Sequence, residues 1–216
     1  MTKISRRHFL AATGAMTGSA LLSPLSGIKA ETIGISTPIV KKTRIALIGT
    51  GSRGIFMWGR DLMREYSNYI EFVGLCDINE GRVETGKRMI GVSCPTYTDF
   101  EKMMKETKPE VLIVTTMDST HHQFIIRGME LGANVITEKP MTIDEKKIQA
   151  ILDAEERTGK HCRVTFNYRY SPHRAKIWEL LRAGEIGDIT SVDFHWYLDT
   201  SHGADYFRRW HRLVEC

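Results

Sequence analysis

The sequence predicts an α/β protein: a doubly wound parallel sheet, followed by the start of an α/β domain with a mostly antiparallel sheet. Three observations carry that reading. Between residues 43 and 166, short runs rich in Val, Ile and Leu alternate with segments of helical spacing. A glycine cluster, Gly49-Thr50-Gly51-Ser52-Arg53-Gly54, follows the first run directly. Near residue 188 the hydrophobic pattern switches to a period of two.

Taken in order, Arg44–Ile48, Glu71–Cys76, Val111–Thr116, Asn134–Thr137 and Cys162–Phe166 are the predicted strands. Several are continuously apolar, as parallel strands covered on both faces must be. Phe100, Met103 and Met104 share a helix face behind a capping box of Thr98 and Glu101. Ile148, Ile151 and Leu152 repeat that spacing behind Thr142 and Glu145. A further helix is expected at about Pro172–Arg182, closed by Gly184. Thr190, Val192, Phe194, Trp196 and Leu198 then alternate with Ser191, Asp193, His195, Tyr197 and Asp199, the signature of a long strand with one wet face. One strand cannot bury its own face. The expected organisation is therefore an export signal at 1–30, a linker at 31–42, a nucleotide domain at 43–165, and the start of a second domain, incomplete at Cys216, at 166–216.

The composition narrows the functional classes. Of 216 residues, 42% are hydrophobic and 26% charged, which excludes disordered, collagen-like and disulfide-framework proteins. The formal charge of +4 belongs to the leader. Residues 1–30 hold four bases (Lys3, Arg6, Arg7, Lys29) and no acid; without them 26 Lys and Arg balance 26 Asp and Glu. A neutral body has no field to draw nucleic acid or anionic lipid. Ser5-Arg6-Arg7-His8-Phe9-Leu10, followed by an uncharged run to Leu22, reads as a twin-arginine export signal, with cleavage expected after Ala30. Cys76, Cys94, Cys162 and Cys216 show no metal-binding spacing, so no metal is expected; Cys76 and Cys162 read as buried thiols, and no disulfide pairing follows from the spacing.

The glycine cluster matches G-x-G-x-x-G between a strand and a helix. Gly49 permits the tight turn, Gly51 the approach of a pyrophosphate, and Gly54 close packing of helix on strand, with Thr50, Ser52 and Arg53 completing the loop. The helix that follows turns free N–H groups and a positive dipole end toward phosphates. Asp77, 23 residues past Gly54 at the end of the second strand, is placed to bond ribose hydroxyls and to repel a 2′-phosphate. A Rossmann dinucleotide site follows, for NAD in preference to NADP, with Arg82 near enough to soften the preference. Thr137-Glu138-Lys139-Pro140 ends another parallel strand, where ligands gather in open α/β sheets. A lysine there can give or take a proton, and Pro140 holds it extended and admits a cis bond.

Together these motifs resemble the Gfo/Idh/MocA family, which includes glucose–fructose oxidoreductase and inositol dehydrogenase, over roughly residues 43–212. The resemblance implies a Rossmann domain followed by a substrate domain whose sheet face holds a sugar or cyclitol. It implies pyrophosphate on Gly49, Gly51 and Gly54, ribose on Asp77, and a nicotinamide wall from Thr115, Thr116 and His121. Glu138 falls beside the nicotinamide ribose, Lys139 is the catalytic lysine and a substrate contact, and Asn167 and Arg169 lie in the cleft between domains. Met117 stands where many relatives have proline, and the family's catalytic histidine region is expected after residue 216. Some relatives carry twin-arginine signals and leave the cytoplasm with nucleotide bound, which fits a periplasmic or otherwise exported protein. His121 could instead cap its helix or face solvent, and Arg169 could be a structural ion-pair partner. Tyr206-Phe-Arg-Arg-Trp-His-Arg212 mixes aromatics with bases and reads as a sugar-facing loop rather than a nucleic-acid surface.

The expected function is NAD-dependent oxidation or reduction of a sugar or cyclitol CH–OH group by a homo-oligomer, with no nucleic acid and no membrane span. The alternatives are an NAD-dependent, redox-neutral glycosidase and a non-catalytic nucleotide-binding protein.

Overall fold

The twist and pairing of six parallel strands organise the chain. The computed structural model describes residues 41–208 and 210–213. The expected export signal at 1–30, nearly all of the expected linker, Arg209 and Cys216 lie outside the described residues. The strands are β1 (Thr43–Ile48), β2 (Ile70–Cys76), β3 (Thr96–Tyr97), β4 (Val111–Val114), β5 (Asn134–Thr137) and β6 (Cys162–Val164), in the order β3-β2-β1-β4-β5-β6. Every pairing is parallel. The order reverses between β1 and β4, and clefts for ligands open at the carboxyl ends of strands at such a switch point.

Helices cover both faces. The first, α1, is π-helical over Arg53–Asp61 and α-helical over Leu62–Tyr66. It is followed by α2 (Glu80–Ile90), α3 (Phe100–Thr107), α4 (His121–Glu130) and α5 (Glu145–Thr158). Side chains of a strand point alternately to the two faces, and β1 divides accordingly. Ile45 and Leu47 join Ile55 and Trp58 of α1 and Val83 and Ile90 of α2 in one cluster. Ala46 and Ile48 join Met103 and Met104 of α3, Ile125 and Met129 of α4, and Ile151 and Ala154 of α5 in the other. This is the doubly wound α/β fold that the continuous apolar runs predict.

Several local expectations differ from the structure. The helix caps are Asp99, whose side chain accepts from Lys102 N at 3.1 Å, and Asp144, which accepts from Lys147 N at 2.9 Å. An Asp carboxylate is as good a cap as a Thr hydroxyl, and each lies closer to its helix than the Thr98 and Thr142 of the expected boxes. On α5, Ile151 is buried with Ala154, whereas Ile148 and Leu152 are exposed. The helix thus meets the sheet along a narrower stripe than its sequence suggests. β4 and β6 stop two residues early, and β3 is too short to leave a periodic trace.

The largest difference lies beyond β6. Helix α6 (Pro172–Arg182) forms as expected, with Pro172 in its first turn and Gly184 at a φ of +75° just past its end. The period-two segment from residue 190 to 198, however, forms no strand among the described residues. A strand needs a neighbour's N–H and C=O groups, and none of the described strands lies beside it. Its apolar positions are open, with Val192 80% and Phe194 74% exposed. Helix α7 (Thr200–Arg208), which the sequence did not suggest, follows it.

Among the described residues no helix is long and apolar enough to cross a membrane, and no three His, Cys, Asp or Glu side chains could hold a metal ion. Cys76, Cys94 and Cys162 are free thiols. Burial pushes their pKa values up to about 12, 11 and 12 respectively.

Candidate nucleotide and catalytic site

The turn from β1 into α1 is shaped by contacts that exclude side chains. Gly49 has a φ of +92°, the left-handed region that favours glycine, and a Cβ there would lie 2.5 Å from Thr115 O. At Gly54 a Cβ would lie 2.1 Å from Gly49 O, so only glycine lets the helix start this close to the strand. Gly51 differs: nothing lies within 4 Å of its absent Cβ. No packing among the described residues requires glycine there, and the open space beside the helix N-terminus is where a diphosphate would rest. Ser52 and Arg53 are exposed beside it.

Thr50 closes the turn from below. Its N–H and hydroxyl both donate to Asp77 Oδ2, at 2.8 and 3.1 Å. Asp77, 5% exposed, also accepts from Asn79 N at 3.0 Å through Oδ1. Oδ1 has one hydrogen bond and so retains acceptor capacity for a ribose hydroxyl. The acid therefore does more than the sequence suggested: it also braces the glycine turn against the end of β2. The Arg82 guanidinium lies 3.8 Å from Oδ2. Open space at Gly51, a helix N-terminus and a buried acid with a free lone pair together fit a dinucleotide.

The loop after β4 forms a second wall. Thr115 donates through its N–H to Ile48 O at 2.9 Å and through its hydroxyl to Gly49 O, locking this loop to the glycine turn. The Thr120 hydroxyl lies 3.0 Å from that of Thr116. His121, at the start of α4, is neither a cap nor solvent-facing: it is 1% exposed. Its Nδ1 is 2.9 Å from Pro140 O and its Nε2 3.1 Å from Thr116 O. It therefore joins the β4 loop to the turn after β5. Met117 is exposed at the loop tip.

That turn carries Glu138, Lys139 and Pro140, with a cis bond between Lys139 and Pro140. Glu138 N donates to Val114 O at 3.1 Å, extending the β4–β5 pairing by one residue. Its carboxylate, 6% exposed, accepts from Trp58 Nε1 at 2.8 Å and pairs with Arg53 Nε at 3.0 Å, both through Oε1. Two residues of α1 thus reach across the mouth of the cleft to the strand end that bears the lysine. Lys139 itself is exposed, with no hydrogen bond or ion pair among the described residues. Nothing local in the sequence marks Trp58 as a site residue. Its spacing of four from Gly54 places it one turn into α1, the only signal that could have drawn attention to it.

Asn167 and Arg169 lie in a 3₁₀ turn (Asn167–Tyr170) directly after β6. Both are exposed at the same sheet edge as Lys139, since β5 and β6 run parallel and Thr165 N donates to Thr137 O at 3.0 Å. Arg169 stacks over Phe166, 5.7 Å from the ring centroid, so the structure shows a ring partner rather than an ion pair. Trp210 and Arg212 form a short 3₁₀ turn after α7.

The chain is similar to known proteins in sequence and in fold. YteT of Bacillus subtilis (strain 168) is 38% identical over 172 residues, covering 78% of this chain and 40% of YteT. Glycosyl hydrolase family 109 protein 1 of Akkermansia muciniphila is 31% identical over 164 residues, covering 72% of this chain and 34% of that protein. The chain thus spans less than half the length of these relatives. Among solved structures, scyllo-inositol dehydrogenase of Lactobacillus casei with bound NAD(H) and scyllo-inositol superposes with a TM-score of 0.62 at 20% identity, over 69% of this chain and 44% of that one. The WlbA dehydrogenase of Bordetella pertussis in complex with NADH and UDP-GlcNAcA gives a TM-score of 0.64 at 19% identity, over 69% and 43%. Those two likenesses are of fold. The family model for the Gfo/Idh/MocA oxidoreductases, NAD-binding Rossmann fold, matches residues 43–166, which takes in the glycine turn, Asp77 and the Glu138–Pro140 turn, so the chain is a member of that family and its cofactor is NAD.

Proposed function

We propose that the whole protein oxidises or reduces the CH–OH group of a sugar or cyclitol, with NAD as hydride carrier. The observation that supports this most is the placement of Lys139: an unpaired ammonium on the turn whose preceding carboxylate is bonded to the helix of the glycine turn. NAD, when bound, supplies the hydride-accepting or hydride-donating carbon. The residues of the chain do the rest. The amides from Gly49 onward hold the diphosphate, and Asp77 orients the adenosine ribose. Thr115 and Thr116 shape the nicotinamide wall, and Glu138 bonds the adjoining ribose. Lys139 in its neutral form takes the hydroxyl proton during oxidation, and as ammonium returns it during reduction. Asn167 and Arg169, on the same edge, contact the substrate hydroxyls. Lys139→Ala should abolish turnover while NAD still binds in a calorimetric titration; retained turnover would remove the lysine from the mechanism.

A second reading is supported by the 31% identity to a family 109 glycosyl hydrolase. In a redox-neutral glycosidase the sugar is oxidised to a ketone with hydride passing to NAD, loses its aglycone by elimination, takes up water across the resulting double bond, and is reduced again by the same hydride. Net NADH accumulation with a free sugar or cyclitol favours the dehydrogenase; aglycone release without it favours the glycosidase. We also propose that residues 166–216 belong to the substrate domain and that Arg6 and Arg7 direct export. An Arg6→Lys, Arg7→Lys double variant should then remain in the cytoplasm, as cell fractionation would show.

A further inference from the structure

The turn bearing Lys139 is held on both sides by groups from different helices. Before it, the buried Glu138 carboxylate takes the indole N–H of Trp58 at 2.8 Å. After it, the Pro140 carbonyl meets His121 Nδ1 at 2.9 Å. The exposed lysine between them makes no hydrogen bond or ion pair among the described residues. We propose that Trp58 is a positioning residue for Lys139, acting through Glu138; this rests on the catalytic role given to the lysine above.

The two donors on Glu138 Oε1 are not equivalent. Arg53 is 43% exposed, so its charge is screened and its long side chain is free to move away. Trp58 is buried among Ile55, Val83 and Ile90, and its rigid ring aims a single N–H at one point. A neutral donor on a rigid, buried ring keeps the carboxylate in place. Without it, Glu138 would follow the mobile guanidinium, and the backbone of residue 139 would shift with it. Misplacement of a reacting group by about 1 Å costs on the order of a hundredfold in rate, so a smaller displacement should still be measurable.

Trp58→Phe deletes the N–H and keeps an aromatic ring, three heavy atoms smaller, in the core. The expected result is a kcat lowered by about tenfold, with KM within about twofold of wild type and an NAD dissociation constant raised by clearly less than kcat falls, since Glu138 also bonds the nicotinamide ribose. An unchanged kcat would show that Trp58 serves the core alone, and an NAD affinity that falls as far as kcat would show that it acts on the nucleotide; either overturns the proposal. An independent readout needs neither substrate nor NAD. The Trp58 indole ¹H–¹⁵N resonance, assigned by its loss in Trp58→Phe or by selective labelling if that variant does not fold, should shift in Glu138→Gln and hold its position in Lys139→Ala. An indole resonance indifferent to Glu138→Gln overturns the inference by itself, whereas full turnover by Lys139→Ala overturns the catalytic reading beneath it.

Discussion

At Gly54 the structure leaves no space for a methyl group, since a Cβ would sit 2.1 Å from the Gly49 carbonyl oxygen, a backbone atom that cannot swing aside. Gly54→Ala should therefore destabilise the domain by about 3 kcal/mol, the upper end of overpacking costs, measured by urea denaturation. The thiols make a second residue-scale prediction. With pKa values of about 12 and 11, Cys76 and Cys94 are almost wholly protonated at pH 8, so iodoacetamide should modify them far more slowly than glutathione until urea is added. At this scale the sequence revealed the groups that belong to motifs and concealed those that act by contact. The placement of Asp77 just past the end of β2 and of Lys139 just past the end of β5 was legible. Trp58 was not, because its partner lies 80 residues away and nothing local distinguishes a bonded indole from a packed one. His121 was legible as a candidate, but its two carbonyl partners were not.

Between elements, a chain of ion pairs links the helices of one face. Arg127 of α4 holds Glu101 of α3, with Nη2 at 2.9 Å from Oε2, and Glu130 at 3.2 Å; Arg157 of α5 meets Glu130 at 2.7 Å. The Arg127 hydrogen bond is the first cause that keeps each carboxyl below the usual glutamate range, with Lys105 adding to Glu101 and Arg157 to Glu130. A carboxylate whose native pKa is lowered contributes stability above the unfolded value of about 4.3, and that contribution is lost as the pH falls through the lowered native value. Arg127→Met should thus lower the melting temperature by about 2 °C near pH 7, a small shift because the pairs are solvent-exposed. The gap should close as the pH falls below about 4. A gap of the same size at pH 3 would mean that lost packing, not charge, is responsible. The element pattern was the most legible part of the fold: five strands and the helices α1, α3, α5 and α6 follow from the alternation of apolar runs with helical spacing. The caps were displaced because Asp99 and Asp144 compete with the nearby threonines, a contest that hydrogen-bond geometry decides and spacing does not.

For the molecule as a whole, the strand order explains why residues 49, 77, 115 and 138 meet. β1, β2, β4 and β5 are parallel neighbours, so their carboxyl ends share one edge, and the reversal between β1 and β4 opens the cleft there. Sequence alternation implied this edge without fixing the order. The period-two segment after residue 188 shows the limit of such reading: alternation states which face a strand would bury, while the strand itself depends on a neighbour that local pattern does not supply. The central claim is that the space beside Gly51 receives the diphosphate of NAD, and one pair of calorimetric titrations tests it most directly. Wild type should bind NAD, and Gly51→Val, at a position where an added Cβ has nothing within 4 Å, should keep its melting temperature within about 2 °C yet bind NAD at least about tenfold more weakly. Equal affinity in the two proteins would place the nucleotide elsewhere and contradict the account.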